Sequence, residues 1–259
     1  MELNELILKI KQKKELSGLP DSFLLPIAEK IIRKYHLALE KITKSELSIV
    51  VKETRAELRK YVGRFHSSNR DRIDLLRSKN IDELLKIHSS TKERVSFYPE
   101  LISILKKMNV QSILDLGCGI NPIALAKHFK EYHAYDINEN DIALVNEFFK
   151  MQGINGTANV KDIRQDFIYP LADACLIFKV LDIIEEKGHK IADTIISKLN
   201  SKYLLISFAT RTLSGKKMQY SQRGWMEKIL FKYHYDFKKI ESDNELFYLA
   251  YPKNTPAPV

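Results

Sequence analysis

The sequence predicts an α/β chain: an all-helical front followed by a mostly parallel sheet with helices on both faces. Three observations carry this. Before residue 110 no alternating strand pattern occurs, and apolar residues recur at helical spacing instead. From residue 111 onward, short apolar runs alternate with helical stripes, the pattern of βα units. Between these halves, Ser112-Ile113-Leu114-Asp115-Leu116-Gly117-Cys118-Gly119-Ile120-Asn121-Pro122 reads as a strand, a tight glycine turn and a helix start. That is the first βα turn of a Rossmann-like sheet.

The elements follow in order. Leu3, Leu6, Ile7 and Ile10 mark a first helix, and Gly18 with Pro20-Asp21 breaks it from a second marked by Phe23, Ile27, Ile31 and Tyr35. Leu47, Val50, Val51, Thr54 and Leu58 make a third, ending near Gly63. A fourth runs from Asp71 to Ser78 and a fifth from Ile81 to Ile87. Residues 1–80 are therefore expected to form a small helical module whose stripes are its own core. Residues 92–108 are expected to be a helix leading into the sheet. Strands are expected at 111–115, 132–136, 157–161, 174–178, 203–208, 235–241 and 246–251. The intervening helices are expected at 121–129, 139–151, 182–198 and 221–233. Ser242-Asp243-Asn244 joins the last two strands as a hairpin. The sheet domain is expected to span 81–253, with a disordered tail at 254–259.

Composition narrows the class. Of 259 residues 44% are hydrophobic, enough for a packed core. No run of 18 apolar residues exists, so no membrane association is expected. The acidic, amphipathic start (Met1-Glu2-Leu3-Asn4-Glu5) is unlike a secretory signal, and the cytoplasm is the expected compartment. Two cysteines in apolar contexts, Cys118 and Cys175, argue against a disulfide framework. No metal site is read. The net charge of +9 is unevenly spread: residues 1–110 hold 23 Lys+Arg against 15 Asp+Glu, and residues 111–259 hold 19 against 18. A basic module in front of a near-neutral domain points to a polyanionic substrate, nucleic acid first.

The glycine turn points to a cofactor. Gly117-x-Gly119-x-x-Pro122 stands where a dinucleotide fingerprint would carry a third glycine. Asp115, directly before the turn, suits a cationic amino-acid ligand better than a pyrophosphate. Asn121 is read as an N-cap and Pro122 as the first helical residue. Asp136 closes the second strand 17 residues after Gly119, where a carboxylate grips ribose hydroxyls, with Ile137 beside it. Together these residues indicate S-adenosyl-L-methionine (SAM). The ends of the later strands supply further candidates. Asp162 and Ile163 are placed for adenine, Phe178 and Lys179 close the fourth strand, and Glu185 could pair with Lys179. The basic loop from Thr210 through Arg211 to Lys216 and Lys217 could clamp RNA phosphates.

Absences narrow the chemistry. Ile177-Phe178-Lys179-Val180 lacks the proline-containing box of enzymes that methylate exocyclic amines. Neither cysteine is placed as a nucleophile for pyrimidine C5. A ring nitrogen such as guanine N7 needs no general base, only positioning, charge complementarity and exclusion of water.

The chain resembles a known family. Ile87-His88-Ser89-Ser90-Thr91-Lys92-Glu93-Arg94 is similar to the His-x-Ser-Thr-x-Glu-Arg signature of the aminoglycoside-resistance 16S rRNA guanine-N7 methyltransferases (Arm/Rmt/Kgm type). Asp115 to Pro122, Leu176-Ile177-Phe178-Lys179 with Glu185, Ser207-Phe208-Ala209-Thr210-Arg211 and Glu245-Leu246-x-Tyr248 resemble four more of its motifs, in order. Ala209 departs from a proline common there, and Asp182 from a neutral residue. The resemblance implies methyl transfer from SAM to N7 of the decoding-site guanine, G1405, in the 30S subunit, by a monomer. S-adenosyl-L-homocysteine would be the product and aminoglycoside resistance a potential consequence. It implies that Arg94 holds the SAM carboxylate with His88, Thr91 and Asn121 nearby, and that Lys179, Glu185 and Arg211 lie near the target nucleotide. Lys11, Lys13, Lys14, Arg55, Arg59, Lys60, Arg64, Arg70 and Arg72 are the docking candidates of the front module. The alternatives left open are action on another rRNA or tRNA nucleotide, and a non-catalytic ribosome-assembly factor with a SAM fold.

Overall fold

A computed structural model describes residues 3–38, 41–62, 69–185, 188–212, 215–219 and 221–257, without the side chains of residues 69, 70, 89 and 90. Three helices open the chain: α1 (Leu3–Lys11), α2 (Asp21–Lys34) and α3 (Lys44–Leu58). The third starts at a full capping box, in which the Thr43 side chain accepts from Glu46 N–H and Glu46 accepts from Thr43 N–H. Leu6, Ile10, Leu16, Leu24, Ala28, Val50 and Leu58 form their shared apolar core, so the stripes do pack on one another.

Four more helices precede the sheet: α4 (Asn69–Arg77), α5 (Ile81–Ile87), α6 (Ser89–Arg94) and α7 (Tyr98–Lys107). The single helix expected over 92–108 is thus two. Leu76 of α4 packs in the core of the sheet rather than with α1–α3.

The sheet has seven strands: β1 (Ser112–Leu116), β2 (Glu131–Asp136), β3 (Gly156–Val160), β4 (Ala174–Phe178), β5 (Tyr203–Ala209), β6 (Tyr235–Glu241) and β7 (Glu245–Pro252). Their spatial order is β3-β2-β1-β4-β5-β7-β6. The first five run parallel, and β7 enters antiparallel between β5 and β6, closing the expected hairpin. Between the strands lie α8 (Asn121–Leu125), α9 (Glu139–Gln152), α10 (Leu181–Ile184), α11 (Lys190–Lys198) and α12 (Gly224–Lys232). The helix expected over 182–198 is broken, with Gly188 and His189 at positive φ between its halves.

Period-two alternation sorts the strand residues onto two faces. Ile113, Ala174, Leu176, Phe178, Leu205 and Phe247 meet α4, α5, α7, α8 and α9. Leu114, Cys175, Ile177, Leu204, Ile206 and Tyr248 meet α10, α11 and α12. Buried on both sides, β4 shows no exposed residue at all. The tail begins in a turn, with Thr255 N–H donating to Pro252 O at 3.2 Å; residues 258–259 lie outside the described residues.

Candidate active site

The parallel strands all end at one edge, and a pocket opens there. It is lined by eight of the cofactor candidates: His88, Gly117, Gly119, Asp136, Ile137, Asp162, Ile163 and Phe178. Lys179 lines it too. Gly117 (φ +70°) and Gly119 (φ +50°) shape the floor. A Cβ on Gly117 would sit 2.9 Å from Val180 Cγ2, and one on Gly119 would point at His88. Both the backbone conformation and the close approach therefore favour glycine at Gly117. Asp136 fixes this turn: its carboxylate accepts from Gly119 N–H at 2.8 Å and from Asn138 N–H at 2.9 Å.

Beside the turn, behind the residues that line the pocket, lies a buried polar cluster that holds the candidates Arg94, Asp115 and Asn121. Arg94, 1% exposed, donates through Nε to both Glu245 oxygens at 2.9 and 3.0 Å, and through Nη1 to Asn121 Oδ1 at 2.8 Å. Its guanidinium lies 4.9 Å from the Phe178 ring centre. Arg94 Nη2 is buried without a hydrogen-bond partner among the described residues, and so is Asp115 Oδ1. The other Asp115 oxygen accepts from the Tyr132 hydroxyl at 2.7 Å. Burial pushes the Asp115 carboxyl up to about 7, with the Tyr132 hydrogen bond and Arg94 opposing. His88 is pulled down to about 3 by burial and by Arg72 and Arg94, so its ring is neutral. An N–H donor and a carboxylate oxygen without partners among the described residues, beside a glycine turn, have the polarity that the carboxylate and ammonium of an amino acid require.

Several expected roles are corrected. Asn121 is not an N-cap; its side chain makes no cap bond, and its Oδ1 accepts from Arg94 and, at 2.7 Å, from the Tyr98 hydroxyl. Pro122 does stand in the first turn of α8. Thr91 does not line the pocket; its hydroxyl donates to Leu85 O at 2.5 Å and stitches α5 to α6. Glu185 does not pair with Lys179; it accepts from Ala192 N–H and caps α11. Lys179 pairs instead with Glu93, and with Glu245 at 3.5 Å. Arg211 is exposed outside the pocket, donating to Asp243 O at 3.3 Å and Gly215 O at 3.1 Å. Asp182, the expected departure beside the target, is neutralised by Arg223 at 2.7 Å.

The docking candidates divide. Arg72 is 2% exposed and bonds Asp141 at 2.6 Å, so it is structural. Arg55 is half-buried and donates to the carbonyls of Lys9 and Ile10, tying α3 to α1. Lys11, Arg59 and Lys60 pair with Asp21, Glu15 and Glu57. Lys13, Lys14, Lys216 and Lys217 are exposed. Arg64 and the side chain of Arg70 lie outside the described residues.

Glu245 and Glu93 were not among the site candidates, although both sit inside quoted motifs. A carboxylate opening an otherwise apolar strand, Glu245-Leu-Phe-Tyr-Leu-Ala, was the available signal. Both cysteines are free, buried and held well above ordinary thiol values by burial, unsuited to nucleophilic attack.

The sheet order, the antiparallel β7 and the glycine turn at the β1 edge define the Rossmann-like fold of SAM-dependent methyltransferases. Within that class the chain belongs to the ribosomal RNA methyltransferase (FmrO) family, whose family model matches residues 29–249. It is 28% identical over 152 residues to a 16S rRNA (guanine(1405)-N(7))-methyltransferase of Serratia marcescens, covering 57% of this chain and 61% of that protein. It is 27% identical over 177 residues to one of Micromonospora echinospora, covering 64% and 63%. The chain thus spans less than two thirds of the length of these curated relatives. A crystal structure of the 16S rRNA methyltransferase RmtF in complex with S-adenosyl-L-homocysteine is similar in fold (TM-score 0.78, 21% identity, covering 98% of this chain and 100% of that one). A structure of the 16S rRNA methylase ArmA is similar at TM-score 0.57 and 26% identity, covering 72% and 99%.

Proposed function

We propose that this protein is a SAM-dependent methyltransferase acting on N7 of guanine 1405 of 16S rRNA in the 30S subunit. The observation that carries the reading is the pocket at the strand ends, lined by Gly117, Gly119, Asp136 and Asp162, with the buried, unpartnered atoms Arg94 Nη2 and Asp115 Oδ1 in the polar cluster beside it. A buried polar group without a partner costs about 1–3 kcal/mol, and a ligand amino acid whose carboxylate and ammonium reached these two atoms would remove that cost. Family membership supports ribosomal RNA as the substrate class.

SAM supplies the activated methyl group when bound. Arg94 would hold its carboxylate, Asp115 its ammonium, Asp136 its ribose and Asp162 the adenine amine. Lys179, at the pocket between two carboxylates, is a donor suited to guanine O6. N7 carries a lone pair and loses no proton, so positioning and water exclusion suffice. The target must leave its stack, at a cost of about a few kcal/mol, offset by backbone contacts. The helical module, through Lys13, Lys14 and its neighbours, would dock the monomer on rRNA, with the exposed Lys216 and Lys217 as further phosphate contacts.

Labelled SAM and purified 30S subunits, followed by borohydride–aniline cleavage and primer extension, test this. A stop at guanine 1405 is expected. Methylation at another nucleotide or only of tRNA would overturn the target, and SAM binding without transfer would overturn the activity.

A further inference from the structure

The cofactor pocket is not built by the sheet domain alone. Phe23 of α2 and Tyr61 and Val62, just after α3, line it together with Asp136 and Asp162. The front module is anchored at two points around this opening. On one side Gly18 O accepts from Glu139 N–H at 2.7 Å, and a Cβ on Gly18 would come within 2.4 Å of Asn138 and Asn140. Ile137, next to Asp136, packs into the apolar core of α1–α3. On the other side stands Arg164. Its guanidinium grips Asp162 in a two-pronged pair, Nε to Oδ1 at 2.9 Å and Nη2 to Oδ2 at 2.7 Å. The same guanidinium lies 4.9 Å from the Phe23 ring centre and 5.2 Å from that of Tyr61, which meet edge to face at 5.3 Å.

We propose that α2 and α3 supply the adenine-end wall of the cofactor pocket, and that Arg164 is a positioning residue tying this wall to Asp162. The proposal rests on the reading of the pocket as a SAM site. Planar guanidinium fits both requirements at once: it forks onto a carboxylate and stacks on aromatic rings, which a lysine does not do. Held this way, the Asp162 carboxylate has its orientation fixed: Oδ1 accepts from Arg164 N–H at 3.0 Å as well as from Nε, which leaves Oδ2 to accept from the exocyclic amine of adenine. Phe23 and Tyr61 then cover the ring from the module's side. Cofactor affinity and the seating of the helical module become reciprocally coupled, since whatever stabilises one arrangement favours the other.

Calorimetric titration of the full chain with S-adenosyl-L-homocysteine and with S-inosyl-L-homocysteine, in which a carbonyl replaces the adenine amine, tests this. Arg164→Ala is expected to weaken S-adenosyl-L-homocysteine binding about tenfold and to shrink the preference over the inosyl compound. Arg164→Lys should recover part of that preference. Phe23→Ala should weaken both ligands, and Phe23→Leu should restore most of the affinity while leaving the melting profile of the wild type. Affinities within about twofold of wild type in Arg164→Ala and Phe23→Ala would overturn the proposal while leaving the cofactor reading standing. Equal loss of both ligands in Arg164→Ala, with the preference intact, would overturn the positioning role. Wild-type protein that binds neither ligand would overturn the cofactor reading and this proposal with it.

Discussion

Glu245, the first residue of β7, binds Arg94 through both carboxylate oxygens across 151 residues of sequence. It also accepts from the Ser207 hydroxyl and lies 3.5 Å from Lys179. One fully buried carboxylate thus orients the proposed carboxylate-binding arginine and the lysine at the pocket.

Removing that carboxylate should be costly. Glu245→Ala leaves Arg94 charged, buried and unpaired, and should destabilise the fold by about 3–5 kcal/mol in urea unfolding. Glu245→Gln keeps the shape and should fold better while still binding S-adenosyl-L-homocysteine weakly. Wild-type stability in Glu245→Ala would show that the pair contributes nothing.

Arg72 and the exposed lysines should separate cleanly. Arg72→Met strands Asp141 in the interior and should cost about 3–5 kcal/mol, seen as a lower urea midpoint. Lys13→Glu with Lys14→Glu should leave the midpoint unchanged, weaken binding to 30S subunits and reduce its salt dependence.

Asp115 makes cofactor binding pH-dependent. Its carboxyl, ordinarily near 3.8, is raised to about 7 by burial. Between those values the folded chain holds a proton that the unfolded chain has released. Its contribution to stability is therefore present below about pH 4 and lost as pH rises through 7. A ligand ammonium favours the ionised form, so affinity for S-adenosyl-L-homocysteine should rise about tenfold from pH 6 to 8. Titrations in buffers of different ionisation enthalpy should register proton release. Asp115→Asn should abolish both effects.

The two glycines of the turn should differ. Gly117→Ala meets Val180 at 2.9 Å in addition to an unfavourable φ, and should lose about 1–3 kcal/mol and cofactor binding. Gly119→Ala meets only ordinary contact with His88 at 3.5 Å, so its loss of stability should be smaller. Adding Val180→Ala to Gly117→Ala should recover the clash component but not the backbone strain, measurable by comparing the three urea midpoints.

The sheet was readable from sequence because its signals are local. Each strand is a short apolar run bounded by turn residues, and β4 and β6 fall on their expected bounds. The glycine turn and Asp136 were readable for the same reason. Partnerships were not. Whether Lys179 meets Glu185 or Glu93 depends on the crossing of α6 with the end of β4, which no spacing reveals. The burial of Arg72 depends on α4 lying against α9, a long-range packing event hidden behind an ordinary amphipathic stripe. Asn121 has the side chain of a cap, and only the presence of Arg94 and Tyr98 turns it away.

Because β7 runs antiparallel, its first residue rather than its last arrives at the edge where β1 to β5 end. A chain emerging from synthesis at about 5–20 residues per second makes Arg94 on the order of ten seconds before its counter-charge. Throughout that interval the helices and the first five strands can collapse around Asn121 and Phe178, yet the arginine lacks the carboxylate that accepts from its Nε. Completion of the site is therefore tied to the final hairpin, and a polypeptide cut short before Glu245 should be left as a partly folded species, open to proteolysis, rather than a weakened enzyme.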